Sequence, residues 1–283
     1  MLHLLYNPFA DGGHGKEAAN EAIGKLKAVR PEVEAVNSSD VDLNEYFKKL
    51  GKDDEVALLG GDGTLNYFIN HVDVMPTNRI YLYPSGTGND FLNDVRGEIE
   101  EKDGLYLLNP YLENLPVIEV KGKTYRFING IGFGIDGECC VVAEEMKRKG
   151  ETKINYSGIS VKLLLGPYKP RTATVKVDDK EPIVLKKAYL ASVMHGRFYG
   201  GNMKIAPNQK RGTHTLTAVV VHEKMRIPML LAFPGLTKGN HLGKKWAKMY
   251  TGKCIEISFD EPCGLQIDGE VVEGVTSYKA YIK

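Results

Sequence analysis

The chain has 283 residues, enough for one large domain or two medium ones, and 42% of them are hydrophobic and 26% charged, the balance of a soluble globular protein. Its 37 Lys and Arg nearly cancel its 36 Asp and Glu, which excludes a global basic field for nucleic acid. Four cysteines, at 139, 140, 254 and 263, have neither metal-ligand spacing nor the density of a disulfide scaffold, so free thiols in a reducing compartment are expected. The longest apolar stretch, "PMLLAFPGL", falls well short of the roughly 20 residues that span a bilayer. The N-terminus lacks the basic and apolar regions of a signal peptide, and none is expected.

In chain order, "HLLYNP" is a short apolar strand ended by Pro8, followed by glycines at 12, 13 and 15. Ala19, Ala22, Ile23, Leu26 and Val29 recur at helical spacing before Pro31. "VEAVNSS" reads as a strand and "DLNEYFKKLG" as a helix with Leu43, Tyr46, Phe47 and Leu50 on one face. "EVALL" is a buried strand, Leu65, Phe68, Ile69 and Val72 line the next helix, and "RIYLYP" is another strand. Strands alternating with helices predict a doubly wound α/β domain with a mainly parallel sheet.

From about Leu115 hairpins take over. "LPVIEVKGKTYRFIN" turns at 121–123 and "TATVKVDDKEPIVLKKAYLASV" at 178–180. "HTLTAVVV", "CIEISF" and "GLQIDGEVV" are further strands, and helical patterns cover roughly 137–165 and 227–249. The expected organisation is an α/β nucleotide-binding domain over 1–114 and a β-rich, sandwich-like domain over 115–272. Residues 273–283 are candidates to return to the first domain.

Three strands of the first half run into small-residue loops: "NPFADGGHG", "GGDGT" and "PSGTGND". In a parallel sheet such loops emerge at the carboxyl edge, where ligands bind. Glycines let backbone N–H groups approach a ligand, and the following helix N-termini add positive dipole, so converging loops can cradle a polyphosphate. A single such loop is more commonly a plain turn; three in one sheet favour the cradle. The chain has no G-x-x-x-x-G-K-[ST], because Ala10 stands where its first glycine belongs. A G-x-G-x-x-G occurs as Gly132, Gly134 and Gly137, but no acid follows at the distance a dinucleotide site requires.

"GGDGT" at 60–64, "PSGTGND" at 84–90 and "DGE" at 268–270, with "NPFADGG", "RFINGIGFGIDG" and "GGNMKIAP", resemble the diacylglycerol kinase catalytic family, which is related to sphingosine kinases and more distantly to NAD kinases. The resemblance spans nearly the whole chain, with the motifs in order. It implies ATP- and magnesium-dependent phosphorylation of a lipid hydroxyl, most directly diacylglycerol to phosphatidic acid, in a cleft between the domains. Asn7, Pro8, Phe9, Ala10, Asp11, Ser38, Gly61, Asp62, Gly63, Thr64, Leu65, Asn66, Tyr67 and Thr87 would surround the nucleotide. Asp62 would hold magnesium or its waters, Asp90 would support the site, and Glu270 would be the general base, with Asp62 as its competitor for that role. Such roles suit phosphoryl transfer, which depends on positioning and charge neutralisation, and a lipid alcohol, whose proton needs an acceptor.

The sequence also departs from the family. Thr213 and Thr217 replace the aspartates expected around a structural magnesium, so none is expected there. Tyr67 stands for a common glutamate and Glu119 for a common aspartate, leaving room for altered activity. "KLLLGPYKPR" and "RIPMLLAFPGLTKGNHLGKKWAKMY" mix apolar runs with cations, as a surface on an anionic membrane would, or as core residues beside solvated lysines. The expectation is a cytoplasmic lipid kinase, peripheral on the inner membrane face, without nucleic-acid partners or a transmembrane segment and with a homodimer as a candidate assembly. An NAD or other small-molecule kinase sharing GGDGT and a weakly catalytic nucleotide or lipid sensor are the alternatives.

Overall fold

Buried apolar runs on both sides of glycine turns build the first half. The computed structural model describes residues 1–283 other than 11–12, 87, 152, 167 and 223–225. The chain divides into two compact units, Met1–Glu113 and Asn114–Lys283.

The first unit runs β1 (Leu2–Tyr6), α1 (Gly15–Lys27), β2 (Val33–Asn37), α2 (Leu43–Lys49), β3 (Glu55–Gly60), α3 (Asp62–His71), β4 (Arg79–Pro84), α4 (Asp90–Val95), β5 (Glu101–Lys102), β6 (Leu105–Leu107) and α5 (Asn109–Leu112). Its sheet has the order β2-β1-β3-β4-β6-β5, parallel over the first four strands and antiparallel at β6 and β5. Leu4 and Leu5 of β1 and residues 56–59 of β3 are buried apolar runs, as strands covered on both faces require, with His3 the one buried polar side chain in β1. Ala19, Ala22 and Leu26 place the buried stripe of α1 against Leu2, Leu4, Ala57 and Leu59. Asp42 caps α2 by accepting the Glu45 amide at 3.0 Å.

The second unit runs β7 (Val117–Val120), β8 (Lys123–Arg126), β9 (Gly130–Phe133), α6 (Ile135–Arg148), α7 (Tyr156–Leu165), β10 (Arg171–Val177), β11 (Ile183–Ala188), β12 (Leu190–Met194), β13 (Leu216–Val221), α8 (Arg226–Thr237), β14 (Ala247–Gly252), β15 (Cys254–Ile267) and β16 (Glu270–Tyr281). The sheet order is β14-β13-β12-β9-β15-β16-β7-β8, with β10 and β11 branching from β15. Residues 173, 175 and 177 of β10 alternate inward with period two. They meet inward residues of β7, β9, β13, β15 and β16 in one core, so the sheet folds over itself, sandwich-like. Phe133 stacks on Phe259 there at 4.2 Å between ring centroids.

Four sequence expectations change. The helix expected over 137–165 is two helices: α6 stops before Gly150, whose φ is +92°, and Asn155 restarts the chain by accepting the Gly158 amide. The helix expected over 227–249 ends at Thr237, because Gly239 and Gly243 adopt positive φ and residues from 247 pair with β13 as β14. Residues 273–283 lie with the second unit, where β16 pairs with β15 and β7. The two strands expected around "CIEISF" and "GLQI" are the single long β15, bent where its register with β16 shifts between Ser258 and Leu265.

Candidate active site

In the first unit the strand order reverses between β1 and β3, the switch point where a doubly wound sheet leaves a crevice. The loop after β1 holds Asn7, Pro8, Phe9 and Ala10. Asn7 Oδ1 accepts the Phe9 amide at 2.9 Å, its carbonyl accepts that of Ala10 at 3.1 Å, and the Phe9 ring is 78% exposed. Ser38, at the end of β2, donates both its amide and its hydroxyl to the Tyr6 carbonyl. Asp11 and Thr87 lie outside the described residues.

The loops after β3 and β4 are bound to each other. The Asp62 amide donates to the Gly88 carbonyl at 3.0 Å, and the Ser85 amide to that of Gly60. The Asp62 carboxylate accepts the amides of Asp90 at 2.7 Å and Phe91 at 3.0 Å, the first two of α4. One side chain in the first turn of α3 thus caps a second helix and fixes the relative position of two N-termini, each the positive end of a dipole. A Cβ on Gly61 would strike the Gly88 carbonyl, so this approach admits only glycine. Asp90 is 5% exposed, beneath the loop. Gly63 faces open space, Leu65 is fully buried with its amide donating to the Gly61 carbonyl, and Asn66 is buried. The Thr64 side chain packs where a Cβ on Gly60 would stand. Tyr67 is 41% exposed and stacks on His71 at 3.8 Å, so the residue replacing the usual glutamate is an aromatic on an open helix face.

Such a backbone cradle between two helix N-termini fits a polyphosphate. Among the described residues no group of three His, Cys, Asp or Glu is placed to hold a metal ion by itself. Magnesium in a kinase is commonly held by one or two carboxylates together with the substrate phosphates, and Asp62 is the carboxylate at the cradle.

In the second unit, "IDGE" is a two-residue hairpin turn. Asp268 and Gly269 have φ of 48° and 101° while Ile267 pairs with Glu270, the pattern of a type I′ turn. Glu270 is exposed at its end. The turn is held by Asp268, whose carboxylate accepts the amides of Ile128, Asn129 and Gly130 at 2.6, 2.8 and 2.9 Å. Arg211 holds the same segment from the other side, donating to the Ile128 carbonyl and, at 2.8 Å, to Asn129 Oδ1. In the sequence Asp268 is visible only as part of a motif; three amides on one carboxylate make it the anchor that aims Glu270.

A second feature has no counterpart among the sequence expectations. α6, α7 and α8 cover an apolar cavity on β12, lined by Leu164, Leu190, Ile205, Met229, Leu236 and, at its polar end, Asp136 and Tyr199. The Asp136 carboxyl accepts Gln266 Nε2 at 2.9 Å, and Gln266 Oε1 accepts the Gly269 amide at 2.7 Å, so one glutamine joins the cavity to the Glu270 turn. Burial pushes the Asp136 carboxyl up to about 6. The G-x-G-x-x-G glycines make this packing feasible: a Cβ on Gly132 would strike the Asp136 carboxylate, and one on Gly137 the Gly264 backbone. Their signal is present in the sequence but points to a dinucleotide.

Elsewhere, Thr213 and Thr217 join a hydroxyl–amide network: Thr217 Oγ1 donates to Gln209 Oε1 at 2.6 Å, and Thr213 Oγ1 to the Lys210 carbonyl at 2.8 Å. Glu119 accepts the Tyr281 hydroxyl at 3.0 Å. His195 and His241, which sit near glycines in the sequence as loop residues would, are buried and hydrogen-bonded to the carbonyls of Ile128 and Ile205.

Residues 1–112 match the diacylglycerol kinase catalytic domain, and residues 129–280 match the YegS C-terminal NAD kinase beta sandwich-like domain. The chain belongs to the lipid-kinase family that this pair of domains defines. A Staphylococcus haemolyticus protein carrying a lipid-kinase name is 27% identical over 245 residues, 83% of this chain and 71% of its own. A diacylglycerol kinase of Mycobacterium tuberculosis is 26% identical over 256 residues, 84% of this chain and 78% of its own. A solved diacylglycerol kinase structure from Bacillus anthracis shares the fold, with a TM-score of 0.62 at 18% identity over 99% of this chain and 93% of its own.

Proposed function

We propose that this protein transfers the γ-phosphoryl group of ATP to the hydroxyl of a lipid, with diacylglycerol the first acceptor to test. The observation that carries the lipid reading is the apolar cavity under α6, α7 and α8, whose only charged lining residue among those described is Asp136. A soluble acceptor such as a dinucleotide would find few polar partners along that wall, whereas an acyl chain needs none. The half-buried Asp136 and the buried Tyr199 at one end suit the polar head of such a lipid.

The nucleotide reading rests on the paired loops of the first unit. Asn7, Pro8, Phe9, Ala10 and Ser38 would shape the nucleotide's surroundings, with the exposed Phe9 ring among them, Gly61, Gly63, Thr64 and Tyr67 stand at the start of α3, whose first-turn amides suit phosphate, and Asp62 would meet magnesium carried in with the phosphates. ATP supplies the γ-phosphoryl group, and ADP leaves as the bond from the lipid oxygen to phosphorus forms. What the chain adds is position, dipoles at the developing charge, and a carboxylate for the hydroxyl proton. Glu270 has that carboxylate exposed and without a side-chain hydrogen bond among the described residues, on a turn that Asp268 makes rigid. Asp62 is the weaker candidate for the base, since both its oxygens already accept amides.

The test is transfer of label from radioactive ATP into diacylglycerol in mixed micelles. Wild type should label the organic phase, and Glu270→Gln should lower kcat by ~10²-fold with KM little changed, the size of a general-base contribution. Label in a water-soluble product would replace the acceptor class, and no transfer at all would leave a binding protein.

A further inference from the structure

We infer that Gln266 is a positioning residue that carries the occupancy of the apolar cavity to the turn bearing Glu270, so that the carboxylate is aimed when an acyl-bearing acceptor is seated. That role rests on the lipid reading of the cavity and gives the acceptor's apolar part a way to act on the chemistry. Gln266 is 4% exposed, on β15 opposite Gly132 of β9. Its Oε1 accepts the Gly269 amide at 2.7 Å, and its Nε2 donates to Asp136 Oδ2 at 2.9 Å. The side-chain amide cannot be turned around, because the Gly269 N–H requires an acceptor, and that leaves the NH2 group for Asp136. Gly132 makes room for the second bond, since a Cβ there would strike both the Asp136 carboxylate and the Gln266 amide.

The two ends of this link meet different things. At one end Asp136 lines the cavity beside Tyr199, whose hydroxyl bonds its carboxyl and lies 3.2 Å from Ser192 Oγ. A ligand that fills the cavity therefore touches the group that Gln266 holds. At the other end the turn is tied down more firmly than a surface hairpin requires. The two central amides of such a turn are free to face water, yet here the Asp268 amide donates to the Gly130 carbonyl at 3.0 Å and the Gly269 amide donates to Gln266. The Asp268 carboxylate adds its three amides from residues 128–130. Of all these bonds, only that of Gln266 leads to a cavity-lining residue. Gly269, with φ of +101°, has the backbone freedom to re-aim the peptide unit before Glu270 when its amide is released. A carboxylate displaced by even ~1 Å loses much of its effect on a bound hydroxyl. A glutamine that merely satisfied buried polar atoms would hold the turn alike with the cavity empty or filled, and that difference can be measured.

The experiment is proton–nitrogen and methyl NMR of the full chain, without nucleotide, as dioctanoylglycerol is added. The methyl resonances of Leu164 and Leu190 report filling of the cavity, and the Gly269 amide should shift in parallel with them. In Gln266→Leu, close in volume and unable to bond either partner, the methyls should still shift and the Gly269 amide should not. Its kcat with dioctanoylglycerol should fall roughly tenfold with KM within about twofold of wild type, the split expected when aim rather than binding is lost. Gln266→Glu supplies a rescue with a pH signature, and it carries the test together with wild-type NMR should Gln266→Leu fail to fold. The new carboxyl still accepts the Gly269 amide and can share a proton with Asp136. The other titratable groups facing Asp136 are Tyr199 and, on α6, Cys139 and Cys140, all kept neutral by burial. Rising pH ionises both carboxyls and breaks the link, so kcat relative to wild type should be near unity at the acid end and fall as pH rises. In wild type Asp136 accepts the Gln266 N–H in either protonation state, and its link has no such dependence. A wild-type Gly269 amide that stays still while the methyls move overturns the proposal, as does one that follows the ligand in Gln266→Leu, or a flat Gln266→Glu ratio. A lower melting temperature with kcat unchanged makes Gln266 a structural residue and overturns it too. Methyls that never move sink the lipid reading and the coupling with it; a Gly269 amide that follows the ligand in a chain that transfers no phosphoryl group keeps the link and sinks the kinase reading alone.

Discussion

Asp62 begins α3, yet its two carboxylate oxygens accept the first two amides of α4, so a residue expected for magnesium is also the link between two glycine-rich loops. Asp62→Asn places an NH2 group against one of those amides. It should therefore abolish turnover and also lower stability by ~1–3 kcal/mol, the cost of leaving an amide at a helix N-terminus without its charged acceptor. Amide exchange at Asp90 and Phe91 should accelerate; unchanged exchange would remove the capping role. Asp136 makes a different prediction. Folding raises its carboxyl from 3.8 to about 6, so the protonated form is favoured in the folded chain. The stability this contributes is complete below 3.8 and is lost as pH rises through about 6. Asp136→Asn keeps an acceptor for Gln266 and cannot ionise. Its melting temperature relative to wild type should climb across that window and level off above it; a flat difference would place Asp136 in ordinary solvent.

At the scale of the element, the glycine-rich loops separate turn chemistry from ligand chemistry. Gly61 is compelled by the Gly88 carbonyl, but a Cβ on Gly63 in α3 would have no neighbour within 4 Å. Replacing a helical glycine with alanine where space allows stabilises by ~0.5–1 kcal/mol. Gly63→Ala should accordingly raise the denaturation midpoint while, on the proposed nucleotide reading, raising KM for ATP several-fold, because a methyl group would stand where that reading brings a phosphate to the amide. A stable variant with unchanged KM would make this loop a turn and nothing more. The same contrast explains Gly132, Gly134 and Gly137. They look like a nucleotide loop because spacing alone cannot tell a ligand's approach from that of another chain segment, and the neighbours here are Asp136, Tyr189 and Gly264.

At the scale of the molecule, each unit has its own core, and what can be read in advance follows from how local the signal is. Strands β1 to β4, their helices and the three loops are legible, because apolar runs, 3.6-residue periodicity and glycine turns are written over a few neighbouring residues. The type I′ turn at Asp268 and Gly269 is legible as a turn for the same reason. The ends of α6 and α8 are not, since apolar content continues beyond them and only positive-φ glycines and the demand of β13 for a partner stop the helices. Nor can the sequence show that Asp268 collects three amides about 140 residues away, that Asp136 closes an apolar cavity, or that Ile227 and Leu231 remain outside while Met229 turns in. Those facts depend on which residues distant in the chain become neighbours, and burial, capping and exposure exist only once the sheet has folded over itself.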